Sequence, residues 1–198
     1  MRDARWGRNQ EVSGEDPFLA SEIAFAFVKN LQKEGDEKHL KAVATPKHFL
    51  AYDLEGVRGR YGGQACTCTL ANKSDCSHDA VVAQCNHSRF NFDARVSHQD
   101  LVAFYLPSWE GAIKRGNAHS VMCSFNAVNG QPACSNGLIE NGILRGEYGF
   151  DGFIVTDCGA VEHLRDDYFV DGAGTSWAQA AAAALNNGTD LGSSKLGA

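Results

Sequence analysis

Apolar residues recur along the chain with two periods, one typical of helices and one typical of buried strands. Leu19, Ile23, Phe27 and Leu31 lie four residues apart, after an aspartate and a proline suited to begin a helix. Gly152–Asp157 is a short apolar run with a polar end, as in a strand buried on both faces. The predicted elements are, in order, a helix over Asp16–Lys33, a buried strand over Lys41–Thr45 that ends in a polar loop at Pro46–Phe49, a helix over Ser97–Gly116 bent at Pro107, a strand over His119–Phe125, a helix over Leu138–Tyr148, the strand Gly152–Asp157, a helix from Ser176 to Asn187 and the start of a strand at Thr189–Leu191.

This alternation of strands and helices predicts an α/β fold built from βα units around a parallel sheet. Each predicted strand ends in polar or reactive side chains: Lys47 and His48 follow the first, Ser124 and Asn126 the second, and Asp157 the third. A TIM barrel carries its chemistry at the C-terminal ends of its strands. The recurrence therefore favours a barrel over a doubly wound sheet.

Residues from about Asp53 to Phe92 are rich in Gly, Cys, Asn and Ser and have no sustained period. They predict a long irregular excursion, which is uncommon unless it is functional or cross-linked. Its cysteines and His87 could bind zinc, but a single residue between Cys66 and Cys68 does not fit ordinary zinc motifs, so disulfides are favoured. The cysteines concerned are Cys66, Cys68, Cys76 and Cys85. A turn at Asn129-Gly130 makes Cys123 and Cys134 a second plausible pair.

Composition excludes several classes of function. The chain has 198 residues, a net charge of −6 and no Lys/Arg block, which argues against nucleic acid as a partner. No window has the roughly 18 apolar residues that a membrane span requires, so a membrane role is not expected. No motif implies a cofactor or a metal. A neutral or small-molecule ligand fits this surface better.

The cysteines and glycosylation sequons indicate a secreted protein. The chain has seven cysteines, more than is usual in the reducing cytosol, and sequons at Asn72, Asn86 and Asn187. The start, Met1–Trp6, has no apolar segment suited to a signal peptide. We therefore expect the natural protein to begin upstream and to enter the secretory pathway.

Five blocks of sequence resemble family 3 glycoside hydrolases in their order and spacing. Arg5–Glu11 with Gly14–Pro17 resembles the family signature after an early barrel strand. The amino-acid sequences of Gly7–Glu11 and Asp157–Val161 are most similar to those of the branch of β-xylosidases and α-L-arabinofuranosidases. The other matching blocks are Lys47–Phe49, Ser120–Asn126, Asn129-Gly130 and Gly152–Asp157.

The resemblance implies that residues 1–198 are part of the family's catalytic (β/α)8 barrel, with the first strands, the last strand and a C-terminal α/β domain outside this chain, and with a Cys-rich insertion at about 56–92. In this family the general acid normally lies on that second domain. Four glutamates of this chain are available, but none lies in a motif that marks an acid/base: Glu110, Glu140, Glu147 and Glu162. The resemblance also leaves Cys158 as the unpaired thiol, because related xylosidases carry a cysteine after the Thr-Asp-Leu segment where Gly192–Ser194 stands here.

Asp157 matches the catalytic nucleophile of the family. A retaining glycosidase needs one carboxylate to attack the anomeric carbon and a second carboxyl group to protonate the leaving oxygen. Most aspartates at the end of a strand are caps. The resemblance implies instead that Asp157 is the nucleophile that forms the covalent bond to the sugar.

The resemblance also implies the sugar-binding residues. Lys47 and His48 match the pair that hydrogen-bonds sugar hydroxyls, and Arg8 matches a sugar-contacting arginine. Adjacent strand residues point to opposite faces, so the Lys-His pair is expected where the strand gives way to a loop. Met122 and Phe125 fall where relatives place residues against the sugar, although apolar strand residues are usually core.

Three hypotheses follow for function. The first is a retaining glycosidase that releases terminal β-D-xylose from xylan or arabinoxylan oligosaccharides, with a β-glucosidase of the same family as its alternative. The second is a non-catalytic sugar-binding protein that uses Arg8, Lys47 and His48. The third is a truncated product that does not fold.

Overall fold

The computed structural model describes residues 4, 6–33, 39–55, 60–61, 64–65, 89–90, 92–165 and 176–193. The helices are α1 (Pro17–Gln32), α2 (98–115), α3 (Leu138–Glu147, which is π-helical), α4 (Ala160–His163) and α5 (Trp177–Asn187). The strands are β1 (Lys47–Phe49), β2 (Arg60–Tyr61), β3 (Gln64–Ala65), β4 (Asp93–Ala94), β5 (Ser120–Cys123), β6 (Ala127–Val128), β7 (Gln131–Pro132) and β8 (Phe153–Thr156), with short 3₁₀ turns at Asn9–Glu11 and Ala133–Ser135.

A parallel sheet in the order β1-β5-β8 forms the centre of the fold. Leu191 extends it by one parallel bridge to Val155, so the strand predicted at Thr189–Leu191 is present only as this bridge. The main core lies around this sheet, and its members include Phe49, Val121 and Ile154, each without exposed surface. The α/β class and the parallel sheet predicted from the sequence are confirmed.

Two smaller sheets accompany it. β4 pairs in parallel with β6, and β6 turns back against β7. β2 and β3 form an antiparallel pair within the segment predicted to be irregular. Cys66, Cys68, Cys76 and Cys85 and the sequons at Asn72 and Asn86 lie outside the described residues.

Local capping explains why two helices begin where the sequence predicted. The Asp16 side chain accepts a hydrogen bond from the Leu19 amide at 2.7 Å, and Pro17 takes the first helical position. Ser176 and Gln179 form a reciprocal capping box at the start of α5. The predicted bounds of α1, α3 and α5 agree with the structure to within one residue at each end.

The second helix keeps its predicted span, with Pro107 inside it. It stays helical through Pro107 and has π-helical turns on either side, at Leu101–Tyr105 and Gly111–Arg115. The wider turns shift hydrogen bonds by one residue, so that the Leu106 amide donates to the Leu101 carbonyl.

No helix in the described ranges is long and apolar enough to cross a bilayer.

The predicted strand over Lys41–Thr45 is wrong. These residues are irregular, Val43 is 45% exposed, and the strand begins at Lys47. The cause lies in the neighbouring strand: the Met122 amide donates to the Pro46 carbonyl at 3.0 Å, which fixes where pairing with β5 begins. The apolar run before Pro46 lies outside this ladder.

Lys47 and His48 were expected beyond the strand, but both lie within β1. Pairing with β5 is irregular between Lys47 and Phe49, since these residues face the consecutive residues Met122 and Cys123. Such a bulge re-aims side chains. It explains how two adjacent strand residues both reach groups on the same turn, as described below.

The disulfide predicted between Cys123 and Cys134 is present, and Cys158 has a free, exposed thiol. The disulfide joins the end of β5 to the 3₁₀ turn before α3. The third sequon is partly buried: Thr189 is 3% exposed, while Asn187 is partly exposed and its side-chain amide donates to the Ala183 carbonyl at 2.8 Å.

Candidate active site

The carboxyl ends of the three parallel strands meet at one edge of the central sheet. The Ser124 amide donates to the Phe49 carbonyl at 2.8 Å, and the Asp157 amide donates to the Cys123 carbonyl at 3.2 Å. These bonds continue the ladder just beyond the strands. They bring residues that are far apart in sequence to the same edge of the sheet.

Asp157 is held by two groups. His48 Nε2 lies 3.2 Å from Asp157 Oδ2, and the Cys158 amide donates to Oδ1 at 2.7 Å. His48 is 9% exposed, so its imidazole packs inside the protein and presents one edge to the carboxylate. The short side chain of Asp157 is therefore fixed from two directions.

The electrostatics keep Asp157 ionised. Burial raises the pKa of the carboxyl group, but the hydrogen bond and charge of His48, the Cys158 amide and the charge of Arg8 lower it by more. The resulting pKa lies below the usual range of an aspartate. A carboxylate that must act as a nucleophile or stabilise a cation is needed in this form.

Glu11 organises the cations beside Asp157. Its Oε1 accepts from Arg8 Nε at 2.7 Å, its Oε2 accepts from Arg8 Nη2 at 2.7 Å, and Lys47 Nζ lies 3.2 Å from Oε2. The hydrogen bonds from Arg8 are the main cause that lowers the pKa of Glu11 to about 2, and the same contact raises the pKa of Arg8. Arg8 Nη2 also lies 3.2 Å from His48 Nε2, so these residues form one network with Asp157.

No role was predicted for Glu11 from the sequence. Its spacing from Arg8 could have indicated one, because residues three apart in a short helical turn are close enough to pair, and Asn9–Glu11 forms such a turn. The bidentate contact fixes the plane of the guanidinium group. Glu11 is thus the residue that positions both cations.

An open cavity of about 610 Å³ lies against this network, within the range of small-ligand sites. Its aromatic part is a cluster of Phe90, Phe125 and His163. The His163 ring stacks on Phe90 at 4.4 Å, and Phe125 meets Phe90 edge-on at 4.9 Å. The lining residues are Arg8, Glu11, Glu55, Arg89, Phe90, Phe125, Asp157, Cys158 and His163.

The predicted site residues divide into two groups. Arg8, Phe125 and Asp157 line the cavity, and His48 is in contact with both Arg8 and Asp157. Lys47 and Met122 do not line it: Lys47 pairs with Glu11 and its side chain is 45% exposed, while Met122 is a partly buried residue within β5.

Sequence reasoning missed Glu55, Arg89, Phe90 and His163, which come from the irregular segment and from the helix after Asp157. Glu55 ends the block Ala51–Glu55, which follows Lys47–Phe49 and resembles the xylosidase branch, so a signal was available for it; the types and spacing of the other three carry no pattern. Within the described ranges, no group of three or more His, Cys, Asp or Glu residues is arranged to hold a metal ion. The arrangement offers an ionised carboxylate, paired cations and aromatic rings around a space open to solvent.

Residues 78–194 match the family model for the glycosyl hydrolase family 3 N-terminal domain. This segment is more than half of the chain and contains Asp157 with most of the cavity. The chain belongs to glycoside hydrolase family 3. The resemblance inferred from the sequence blocks is thereby confirmed.

Similar proteins include members of this family with xylosidase names. A β-xylosidase/α-L-arabinofuranosidase 1 of Medicago sativa subsp. varia is 37% identical over 96% of this chain. A probable exo-1,4-β-xylosidase of Aspergillus fumigatus is 40% identical over the same share. This family 3 chain spans only 21% of the length of each of these relatives.

Solved structures give the same assignment and include glucosidases. A family 3 exo-β-xylosidase in complex with a xylobiose aziridine activity-based probe is 33% identical with a TM-score of 0.73, over 96% of this chain and 21% of the other. A β-glucosidase from Listeria innocua in complex with isofagomine is 30% identical with a TM-score of 0.70, over 99% of this chain and 23% of the other. Sugar specificity therefore does not follow from the fold alone.

Proposed function

We propose that this chain is the part of a retaining β-xylosidase that carries the nucleophile, and that the whole enzyme releases terminal β-D-xylose from xylan or arabinoxylan oligosaccharides. One observation supports this most: Asp157 is an ionised carboxylate, fixed by His48 and the Cys158 amide, at the wall of a cavity sized for sugars. The xylosidase names of the relatives support the choice of xylose.

Asp157 attacks the anomeric carbon of the bound sugar and forms a covalent glycosyl ester, while the leaving oxygen takes a proton from a second carboxyl group. Water then attacks the anomeric carbon and gives a proton to the second carboxyl group, which the first step left as a carboxylate; Asp157 leaves as a carboxylate, and configuration is retained. The charge network limits where Asp157 can point, which is the preorganisation that such an attack needs.

Two of the other predicted site residues, Arg8 and Phe125, line the cavity and contact the sugar. Arg8 offers donors to hydroxyl groups beside Asp157. His48 holds Arg8 and Asp157 in place, and Lys47 joins them through Glu11. Phe125 supports the aromatic wall on which the apolar face of a sugar can rest. Met122 lies within β5 and is not in the wall of the cavity.

Residues 1–198 form, in this proposal, part of a (β/α)8 barrel with a Cys-rich insertion at about 56–92. The acid/base is supplied by a separate α/β domain of a longer, secreted polypeptide. The isolated chain then hydrolyses ordinary xylosides slowly, because loss of general acid catalysis typically costs about 10²- to 10⁴-fold.

A fluorinated substrate tests the assignment of Asp157 on the chain as it exists. We expect 2,4-dinitrophenyl 2-deoxy-2-fluoro-β-D-xyloside to label the peptide that contains Asp157. Dinitrophenolate departs without a proton, so the test does not depend on the acid/base. An Asp157→Asn variant controls for adventitious esterification, and label on another carboxylate would overturn the assignment.

The same experiment separates the alternatives. Faster labelling by the matching glucoside, by tenfold or more, would indicate a β-glucosidase. D-xylose binding without any label would indicate a sugar-binding protein without catalysis. If the unmodified chain cleaves xylobiose as fast as a full-length relative does, the proton donor lies within these 198 residues.

A further inference from the structure

Glu55 lies in the wall of the cavity that contains Asp157 and is held there by Arg89. Arg89 Nη1 donates to Glu55 Oε1 at 2.9 Å, and the Arg89 amide donates to the Glu55 carbonyl at 3.0 Å. A methyl group at Gly7 would lie 3.6 Å from Glu55 Cγ, so the side chain also packs against the turn that carries Arg8. Glu55 is therefore fixed at its backbone, its stem and one oxygen.

Arg89 is itself restrained. Its guanidinium carbon lies 4.6 Å from the centre of the Phe90 ring and 5.8 Å from that of Phe125. Stacking on aromatic rings while donating to a carboxylate uses the planar shape of arginine, which lysine lacks. The pair forms a rigid unit on the aromatic side of the cavity.

Glu55 differs from the other two carboxylates of this cavity in one respect. Both oxygens of Glu11 accept from Arg8, and each oxygen of Asp157 has a polar neighbour, His48 or the Cys158 amide. Glu55 Oε2 is buried and, within the described part of the chain, accepts no hydrogen bond.

A buried carboxylate oxygen without a donor is costly, and native proteins rarely leave one without a functional reason. Glu55 lines the cavity, where a donor can arrive, and Oε2 reaches that donor when the carboxylate turns towards it. A sugar hydroxyl donates well to a carboxylate, and such charge-assisted hydrogen bonds are stronger than those between neutral groups. Because Arg89 pairs with Oε1, Glu55 is suited to accept a hydrogen bond rather than to release a proton.

We infer that Glu55, positioned by Arg89, is a further substrate-binding residue that accepts a hydrogen bond from a sugar hydroxyl through Oε2 in the cavity beside Asp157. The inference rests on the proposed function, since the sugar is the ligand of that same cavity. It adds a hydroxyl-specific contact between the turn that carries Arg8 and the aromatic side of the cavity. When a ligand lacks the matching hydroxyl, the Glu55 acceptor stays unpaired. This cost makes the site select sugars that carry the hydroxyl.

The test measures binding of D-xylose and its 2-, 3- and 4-deoxy analogues to the 198-residue chain and to Glu55→Gln, with ligand-observed NMR. The glutamine keeps the size of the side chain and replaces the acceptor by a donor. Glu22→Gln is the matched control, because Glu22 also pairs with an arginine, Arg115, but lies on α1 and not in the cavity. Thermal unfolding of each variant establishes that it is folded.

We expect Glu55→Gln to weaken D-xylose binding on the order of tenfold or more, while Glu22→Gln leaves it unchanged. For the unmodified chain, one deoxy analogue should bind about as much more weakly than D-xylose as the variant does. For Glu55→Gln, the same analogue should bind no more weakly than D-xylose. That pairing identifies the hydroxyl. A merely structural role for Glu55 would weaken all four sugars by the same factor.

The inference is overturned if Glu55→Gln binds D-xylose like the unmodified chain, or if no deoxy analogue distinguishes the two proteins. The fluoroxyloside separates this outcome from failure of the proposed function. If Asp157 is labelled and the fluoroxyloside concentration for half-maximal labelling is the same in both proteins, the role of Glu55 is contradicted but the proposed function is not. Absence of both label and sugar binding in the unmodified chain contradicts both proposals. If Glu55→Gln does not fold, Arg89→Lys is used, which leaves Glu55 in place but unoriented and should also weaken D-xylose binding.

Discussion

His48 is the neighbour of Asp157 whose removal tells most about the site. It is the main group that opposes the effect of burial on this carboxylate, through a hydrogen bond and its charge. The Cys158 amide and Arg8 act in the same direction but come later in importance. The reactivity of Asp157 should therefore depend on a residue that was assigned only to sugar binding.

We predict that His48→Ala raises the pKa of Asp157, because burial then acts with less opposition. The rate of labelling by the fluoroxyloside should fall off at a higher pH on the acidic side than in the unmodified chain. His98→Ala, at the start of α2 and outside the cavity, should leave the profile unchanged. An acidic limb that does not move in His48→Ala would show that His48 does not control the ionisation.

Glu140 is a carboxyl group in the core that no part of the proposed mechanism uses. It has no exposed surface and lies on α3 against Thr189, whose Oγ1 is 3.1 Å from both carboxyl oxygens and 3.0 Å from the Cys134 carbonyl. A hydroxyl group has one proton, so if Thr189 donates to the carbonyl, a protonated Glu140 must donate to Thr189. Burial raises the pKa of Glu140 from 4.5 to about 8, against the opposing effects of Thr189 and Arg145.

The sign of the resulting pH dependence follows from proton uptake. Between pH 4.5 and about 8 the folded protein holds a proton on Glu140 that the unfolded chain has released. The contribution of Glu140 to the free energy of unfolding should therefore be highest below pH 4.5. It should fall as the pH rises and level off above pH 8. The loss is on the order of 4 kcal/mol.

We predict that Glu140→Gln removes this loss, because its amide can still donate to Thr189 and does not ionise. Urea unfolding between pH 5 and 8 measures it: the variant should gain stability relative to the unmodified chain as the pH rises. Glu147→Gln, exposed on the same helix, should follow the unmodified chain to within about 0.5 kcal/mol. A Glu140→Gln variant that is less stable at pH 8 would indicate an ionised Glu140 in the folded state.

At the scale of elements, the contact between α1 and α2 is set by a glycine. A Cβ atom at Gly111 would overlap the backbone oxygen of Ser21, where no side-chain movement can relieve the overlap. Gly142 on α3 provides the contrast, because its added Cβ would meet only Leu138 Cδ1, at an ordinary 3.6 Å.

We predict that Gly111→Ala lowers the free energy of unfolding by about 1 to 3 kcal/mol, since the two helices must separate. Gly142→Ala should instead be neutral or raise it by up to about 1 kcal/mol, as alanine favours helical backbone. The urea midpoints of the two variants measure the difference. Equal midpoints for Gly111→Ala and the unmodified chain would mean that α1 is not packed on α2 in solution.

At the scale of the whole molecule, one surface is more apolar than a soluble protein usually tolerates. Leu19, Ile23, Phe27 and Leu31 follow one another on successive turns of α1 and are 50%, 43%, 65% and 39% exposed. Ile23, Phe27 and Leu31 line a groove of about 520 Å³ together with Val43 and neighbouring residues. Apolar surfaces of this kind usually mark contacts with further protein.

We predict that the isolated chain associates with itself through this surface in a concentration-dependent way. The double variant Ile23→Lys/Phe27→Lys should reduce association in sedimentation velocity, because it places two charges in the contact. Leu138→Lys, which changes a 70% exposed leucine outside the groove, is the control and should associate like the unmodified chain. Unchanged association in the double variant would locate the contact elsewhere.

The sequence by itself determined the elements whose signals are local. Apolar spacing and the caps at Asp16 and Ser176 gave the bounds of α1 and α5, and the apolar run before Asp157 gave β8, because each depends on residues within one or two turns or one strand. The family, the fold class, and the candidate nucleophile at the end of a buried strand also followed from residues that are adjacent in the chain.

Only the tertiary structure decided which distant residues meet. Pairing with β5, not local hydrophobicity, placed β1 at Lys47. Proximity of Glu55 to Arg89, and the burial of Glu140 against Thr189, arise from chain segments that no short-range period connects. Periodicity reports which face of an element is apolar, whereas a polar network depends on the register and packing of several elements at once.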